Sequence, residues 1–371
     1  MEDYRLHLRE PILSKDRARD YRHPLHKLTG LQWWISVVVN ILLLVVGQSA
    51  GVLLGRYYYD EGGNSKWMAS LVQTAAFPIL FIPYIFLRPF DEPPNSGSSS
   101  SSSSVPSVLI LGTIYFIIGA LIAGDNMMYS FALSNLSAST YSLICATQLA
   151  FTAIFSLFIN RQKFTALILN SVVVLSFAAA LLSVNDDDDS SGNVLSVSER
   201  KYTVGVVLAL GASALYALLL SLMQLTFEKV VKKETFTVVL EMQIYTAIVA
   251  TVVTTAGLFV SGEWKSIAGE MEGFGAGKVS YVMTLVWIAV AWQLCSVAVV
   301  GLIYVVSSLF SNVISTLSLA ITPIASLVVF HDRMNGVKIV AMLLAFWGFA
   351  SYVYQNYLDD REARKNDRDG S

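Results

Sequence analysis

The sequence predicts an all-α polytopic membrane protein, with ten transmembrane helices folded as two inverted five-helix repeats. Three observations carry this expectation. The 371 residues are 54% hydrophobic and only 14% charged, whereas soluble domains carry about 25% charged residues. The shortfall is concentrated in uncharged windows at 28–55, 67–87, 93–124, 164–185, 202–227, 242–262, 279–331 and 339–358. Most of these reach the roughly 20 residues a helix needs to cross about 30 Å of hydrocarbon. The third observation is a weak self-similarity between the two halves of the chain.

Splitting the long windows at polar or turn-forming clusters places the helices at 32–57, 67–88, 107–131, 137–160, 164–184, 202–226, 236–261, 279–301, 303–329 and 337–357. The turn Ser134–Ser137 separates the third from the fourth, and the 279–330 run divides near Gly301. Residues 1–31 are charged and lack an apolar signal-peptide core, so they read as a cytosolic tail. The first repeat is then 32–184, with a Ser-rich cytosolic loop at 91–106. An acidic outer loop at 185–201 leads to the second repeat, 202–357, and a cytosolic tail at 358–371. With both termini inside, 17 of the 25 Lys and Arg residues face the cytosol and 8 the opposite side. Positive charge is retained on the cytosolic side, so the count supports that orientation. The Asp186–Asp189 run offers a conceivable calcium site, but a solvated acidic loop is the expected reading.

The self-similarity lies between TQLAFTAIFSLFINRQKFTALILNSVVV (147–174) and LSLAITPIASLVVFHDRMNGVKIVAMLL (317–344). At an offset of 170 residues, Thr152 meets Thr322, Ser156 meets Ser326, Leu157 meets Leu327 and Lys163 meets Arg333. That interval holds five spans, and an odd number inverts the second copy. Inverted repeats are a common route to alternating access, with the substrate site near the bilayer midplane.

Polar side chains inside hydrocarbon are costly, so their positions are informative. Tyr141, Cys145, Gln148 and Thr152 share one face of the fourth span. Ser308, Ser311, Ser315, Ser318 and Thr322 form a stripe on the ninth, with Asn312 beside it. As repeat counterparts, these stripes suit opposite walls of a wet cavity; the alternative is hydroxyls that bond backbone and pack closely. Gly47, Gly51 and Gly55 on the first span read as a packing face, with Gln48 beside them as a ligand-reading amide. On the eighth, Trp292 and Gln293 pair a stacking surface with an amide. Asp125 is the only charged side chain between Glu92 and Arg161, and Glu241 is the second carboxylate within a span. Asp125 lies about 9 Å beyond the middle of the third span, toward its outer end. Either carboxylate is a candidate to exchange a proton; the alternative for both is interfacial snorkelling or a structural bond.

Two cysteines, Cys145 and Cys295, fall inside apolar spans and make neither a disulfide framework nor a metal pair. No metalloprotease helix motif, phosphate-binding glycine loop or nucleophile elbow is present, so neither an enzyme nor an ATP-driven pump is expected.

Several segments resemble the plant purine permease family, within the drug/metabolite transporter superfamily. They are VGQSAGVLLGRYYYDEGGNSKWMASLVQTAAFPIL (46–80), GDNMMYS (124–130), STYSLICATQLAF (139–151), VVLEMQIY (238–245), GLFVSGEWK (257–265) and the stretch from SSLFSNVISTLSLAITP through FHDRMNGVKIVAMLLAFWGFASYVYQNYLD (307–359). The resemblance runs from about 31 to 359 and implies a ten-helix carrier with cytosolic termini. It further implies transport of adenine, related purines, cytokinins and other nitrogen heterocycles, driven by protons. One departure is visible: the family looks like Tyr-Leu-Pro-Val ahead of Ser-Thr-Tyr, where this chain has Asn135-Leu136-Ser137-Ala138. Loss of the proline predicts a looser turn between the third and fourth spans.

The resulting expectation is a proton symporter importing purine-like bases. Gln48, Asn126, Gln148, Gln293 and Asn312 are the candidate edge contacts, Tyr129, Tyr141 and Trp292 the stacking surfaces, and Asp125 or Glu241 the proton carrier. Its partners are the small-molecule substrate, protons and the lipid bilayer. No cofactor, metal or nucleic acid is implied, and no oligomeric state is specified. Rival readings are a carrier of another heterocycle, such as an alkaloid or vitamin, and a membrane receptor that binds a cytokinin without moving it. Phosphorylated substrates are disfavoured because no Lys or Arg lies mid-span. The plasma membrane is the default location, with the vacuolar or endoplasmic reticulum membrane as alternatives.

Overall fold

An uncharged run placed in lipid must satisfy its backbone groups internally, and the helix does this within one segment. The computed structural model describes residues 30–87, 108–159, 170, 173–174, 177, 195–231, 236–306, 308–331 and 334–369. Among these the regular structure is entirely helical. The helices are α1 Gly30–Asp60, α2 Lys66–Ala75, α3 Phe81–Leu87, α4 Val108–Asn135, α5 Ala138–Cys145 and α6 Gln148–Ile159. They continue as α7 Leu195–Thr226, α8 Phe236–Ser261, α9 Ile267–Gly273, α10 Lys278–Val305, α11 Ser308–Phe330 and α12 Gly336–Asp369. Eight spans among the described residues are long and apolar enough to cross a membrane, and Gly336–Ser351 is a shorter apolar helix. Most of the fifth expected span (164–184), the Ser-rich loop, the Asp run, Lys163 and Arg333 lie outside the described residues.

Local chemistry decides where the helices break. The second expected span is segmented: α2 gives way to a 3-10 turn, Phe77–Leu80, with Pro78 at its start, before α3. Proline lacks the N–H that would continue the α ladder. The fourth span is also two helices, parted at Ala146–Thr147, where Thr147 N–H bonds the Ile144 carbonyl at 3.0 Å instead of the residue four back. Its counterpart 170 residues on, Thr316–Leu317, lies within unbroken α11. The division expected near Gly301 occurs at Val306, and α10 runs straight through Gly301. A Cβ there would lie 2.6 Å from Asn40 Oδ1, so this glycine serves close packing against α1 and is no breaker. α7 begins at Leu195, seven residues before the expected 202, and α12 extends to Asp369 into the expected tail.

The α4–α5 turn is not loose. Ser137 caps α5, accepting from Thr140 N–H, and its hydroxyl also bonds Thr140 Oγ1 at 2.9 Å. Arg56 donates to the carbonyls of Leu133 and Leu136, at 3.2 and 2.8 Å, and pairs with Asp60 at 2.6 Å. A serine cap and an arginine clasp thus hold the turn where the family pattern has a proline.

α1 packs along α10 and α11, while α4 packs between α7 and α8. One apolar core gathers Leu136, Ile144, Leu149, Ala341 and Ala345, and another Leu44, Ile118, Leu220, Met242 and Leu302. Outward-facing apolar residues such as Leu109, Phe116, Val252, Val260 and Val328 form the lipid-facing surface. The end of the bundle at the α1–α2 turn is closed by α9 and its flanking loops. Fully buried Tyr58 donates to Glu270 Oε2 at 2.8 Å, and Ser65 to Glu263 Oε2 at 2.6 Å. Phe274 packs edge-on against Tyr57 and Tyr281 in the same place.

Candidate functional site

Near the midpoints of α1, α4, α10 and α11 the bundle holds a cavity of about 110 Å³. From α1 comes Gln48; from α4, Asp125, Asn126 and Tyr129; from α5 and the start of α6, Tyr141, Cys145 and Gln148. α10 contributes Trp292, Cys295, Ser296 and Val299, which recur at helical spacing on one face. Gln73, Tyr216, Met223, Gln243 and Leu319 complete most of the wall. Among the described residues no Lys, Arg or His lines it. A smaller void of about 20 Å³ adjoins it toward the α1–α2 end, sharing Gln73, Tyr129, Tyr141 and Trp292. These rings form the partition between the two, with Tyr129 and Tyr141 edge to face at 5.9 Å.

Six of the eight expected binding residues, Gln48, Asn126, Tyr129, Tyr141, Gln148 and Trp292, share this wall. Gln293 does not. Its amide is buried but is not part of the lining, although Val300, two turns further along nearly the same face, is. Asn312 is also off the wall: it is fully buried, donating to the Gln148 carbonyl at 3.1 Å and to Thr152 Oγ1. It staples α11 to α6. The hydroxyl stripe on α11 likewise joins helices and does not wet a cavity wall. Ser311 donates to the Val299 carbonyl at 3.0 Å, Ser318 to the Val45 carbonyl at 3.1 Å, and Ser308 bonds Gln224. In hydrocarbon a hydroxyl finds the nearest carbonyl, and that preference prevails over solvation. Thr152, expected beside Gln148 on the cavity side, is consumed by Asn312.

The two carboxylates part company. Asp125 is 3% exposed, lines the cavity, and its Oδ1 has no hydrogen-bond partner among the described residues. Its position one residue from Asn126 does not remove it from the cavity, because the wall spans more than 100° of α4. Glu241 is off the cavity and accepts from Tyr84 Oη at 3.0 Å, which fits the structural alternative.

The first-span glycines are packing residues. A Cβ on Gly47 would sit 2.8 Å from the Ala291 carbonyl oxygen, and one on Gly51 2.8 Å from the Trp292 ring. Gln73, Tyr216 and Gln243 were missed from sequence. Gln73 and Gln243 are lone amides within apolar spans, the same signal that singles out Gln48, and it would have found them. Gln73 donates to Ser130 Oγ at 3.1 Å as well as facing the cavity.

Fold and site together define a polytopic helical membrane protein with an amide- and aromatic-lined cavity at mid-bundle, to which Asp125 adds a carboxyl. Residues 35–362 match the family described as purine nucleobase transmembrane transport. Probable purine permease 11 of Arabidopsis thaliana is 64% identical over 96% of this chain and 92% of its own length. Probable purine permease 13 of the same plant is 53% identical, covering 92% and 91%. A solved crystal structure superposes with a TM-score of 0.52 over 84% of this chain and 98% of that one at 13% identity, a likeness of fold alone. The chain belongs to the purine permease family, whose members are membrane transporters of purine nucleobases and not enzymes.

Proposed function

We propose that the protein imports purine bases, including N6-substituted cytokinins, by proton symport through alternating access. The observation that carries this reading is the cavity itself. A flat neutral base requires edge contacts and a stacking face, and the wall combines the amides of Gln48, Asn126 and Gln148 with the rings of Tyr129, Tyr141 and Trp292. Asp125 is the proton carrier in this scheme. Among the described residues it is the carboxyl on the wall, its Oδ1 is unpartnered, and no Lys, Arg or His lining the cavity balances an ionised form. Both termini are cytosolic, the cavity alternates between the two membrane faces, and the plasma membrane is the site of uptake. The covered α1–α2 end, with Glu270 and Glu263 bound to Tyr58 and Ser65, is the closed outer side in this orientation.

The test is uptake of labelled adenine into liposomes carrying the full chain, with and without an acidic exterior. Concentrative uptake that a protonophore collapses supports the reading. Uptake that only equilibrates, whatever the gradient, removes proton coupling. Saturable binding with no internal label indicates a receptor.

A further inference from the structure

Ser315, on α11, lies behind the cavity wall and bonds two of the amides in it. Gln148 Nε2 donates to Ser315 Oγ at 2.8 Å, and Ser315 Oγ donates in turn to Gln48 Oε1 at 3.0 Å. All three of Gln48, Gln148 and Ser315 are buried. A serine hydroxyl has one proton to give and two lone pairs. Its single proton goes to one amide carbonyl, so it receives an N–H from the other. Each glutamine thus spends opposite ends of its amide on Ser315. Gln48 is left with Nε2, a donor, for the cavity, and Gln148 with Oε1, an acceptor.

We propose that Ser315 is a positioning residue that holds the Gln48 and Gln148 amides in opposite polarity, so that the cavity offers a planar base one donor beside one acceptor. The proposal rests on the purine-transport reading above. The reversed chain, Gln48 to Ser315 to Gln148, makes the same two bonds, whereas turning the same end of both amides to Ser315 either orphans its buried proton or leaves a carbonyl without one, so the pair is expected to invert in concert. The cavity then accepts a ring edge carrying adjacent donor and acceptor in either order. That describes an amidine edge, a lactam edge and the N–H/N edge of the imidazole ring. An edge presenting acceptors alone leaves one amide carbonyl facing a lone pair. Sites built from buried hydrogen-bonding groups reject analogues that lack the partner, because the orphaned group bears its full desolvation cost.

The experiment measures competition against labelled adenine uptake in cells expressing the full chain. The competitors are adenine, purine (which lacks the exocyclic donor) and 9-methyladenine (which lacks the ring N–H). In the wild type, one of the two analogues competes roughly tenfold more weakly than adenine, the cost of an unpaired buried carbonyl. In Ser315→Ala each amide turns independently and both present N–H to an acceptor edge. The gap then shrinks to about twofold while adenine itself binds more weakly, because the amides are no longer held in place. Ser315→Thr retains the hydroxyl and retains the gap. Ser315→Cys keeps the volume with a weak donor and reports the same loss of discrimination should the alanine variant fail to fold. The proposal is overturned if neither analogue is disfavoured in the wild type, or if Ala and Cys weaken all three competitors by one common factor with the gap intact. The latter result makes Ser315 a mere helix joint. Absence of saturable adenine uptake in the wild type refutes the transport reading itself, independently of any Ser315 variant.

Discussion

Gly47 and Gly51 are one helical turn apart and chemically alike, yet alanine at the two positions should fail in different ways. At Gly47 the new Cβ meets backbone of α10, the Ala291 carbonyl oxygen at 2.8 Å and the Cys295 nitrogen at 3.0 Å. Ordinary carbon contacts lie near 3.5–4.0 Å, so the helices must separate by about 1 Å. Neither atom can rotate out of the way. Overpacking of this kind costs about 1–3 kcal/mol, offset in part by the roughly 1 kcal/mol that alanine gains over glycine in a helix. At Gly51 the Cβ meets the Trp292 ring at 2.8 Å, and that ring borders the cavity. A side chain beside open space yields by turning into it. Gly47→Ala is therefore expected to lower thermal stability in detergent as its main effect, with KM for adenine in the surviving protein moving less than in Gly51→Ala. Gly51→Ala should leave stability near wild type and raise KM several-fold, on the order of 1 kcal/mol of lost binding. Melting curves and uptake kinetics on the same preparations separate the two. Equal losses of stability, or an unchanged KM in Gly51→Ala, would refute the assignment of Trp292 to the substrate space.

Other expectations follow from the same geometry. Asp125→Asn should abolish accumulation driven by an acidic exterior while preserving adenine counterflow, whereas Glu241→Gln should keep both; unchanged uphill uptake in Asp125→Asn removes it from the coupling mechanism. Trp292→Ala should raise KM for adenine about tenfold or more with a smaller effect on maximal rate, since a base stacked on an aromatic ring gains about 1–3 kcal/mol; a KM within twofold of wild type speaks against stacking there. Asn312→Ala removes the donor from the Gln148 carbonyl and Thr152, and should cost about 1–2 kcal/mol of stability. Its KM should move far less than that of Trp292→Ala, as determined by uptake on protein normalised for surface amount.

Much of the architecture was legible because hydrocarbon imposes a one-dimensional rule. Uncharged stretches of sufficient length must become helices, and α1, α4, α8 and α10 end close to where composition changes. The candidate site was legible in part for a related reason. An amide or carboxyl that persists in such a stretch stands out, as Gln48, Asp125 and Gln148 do. Direction was harder to read. Trp292 and Gln293 are neighbours in sequence, but only the former lines the cavity, because which side chains of α10 reach it depends on how α1 packs against that helix. Ser315 and Ser318 look equivalent in the stripe, yet one bonds two cavity amides and the other the Val45 carbonyl.

By itself the sequence determined that the chain is a helical membrane protein, roughly where the eight spans seen among the described residues lie, and that it resembles a purine permease. Hydrophobic length, charge placement and shared motifs are local and need no knowledge of neighbours. Tertiary structure alone decided that Asp125 opens onto the cavity while Glu241 is tied to Tyr84, that Asn312 lies off the cavity lining and joins α11 to α6, and that one serine hydroxyl joins Gln48 to Gln148 across α1, α6 and α11. These are properties of pairs of residues up to 267 positions apart. Helix packing brings such pairs together, and a polar group's role inside a membrane is set by the partner that packing supplies.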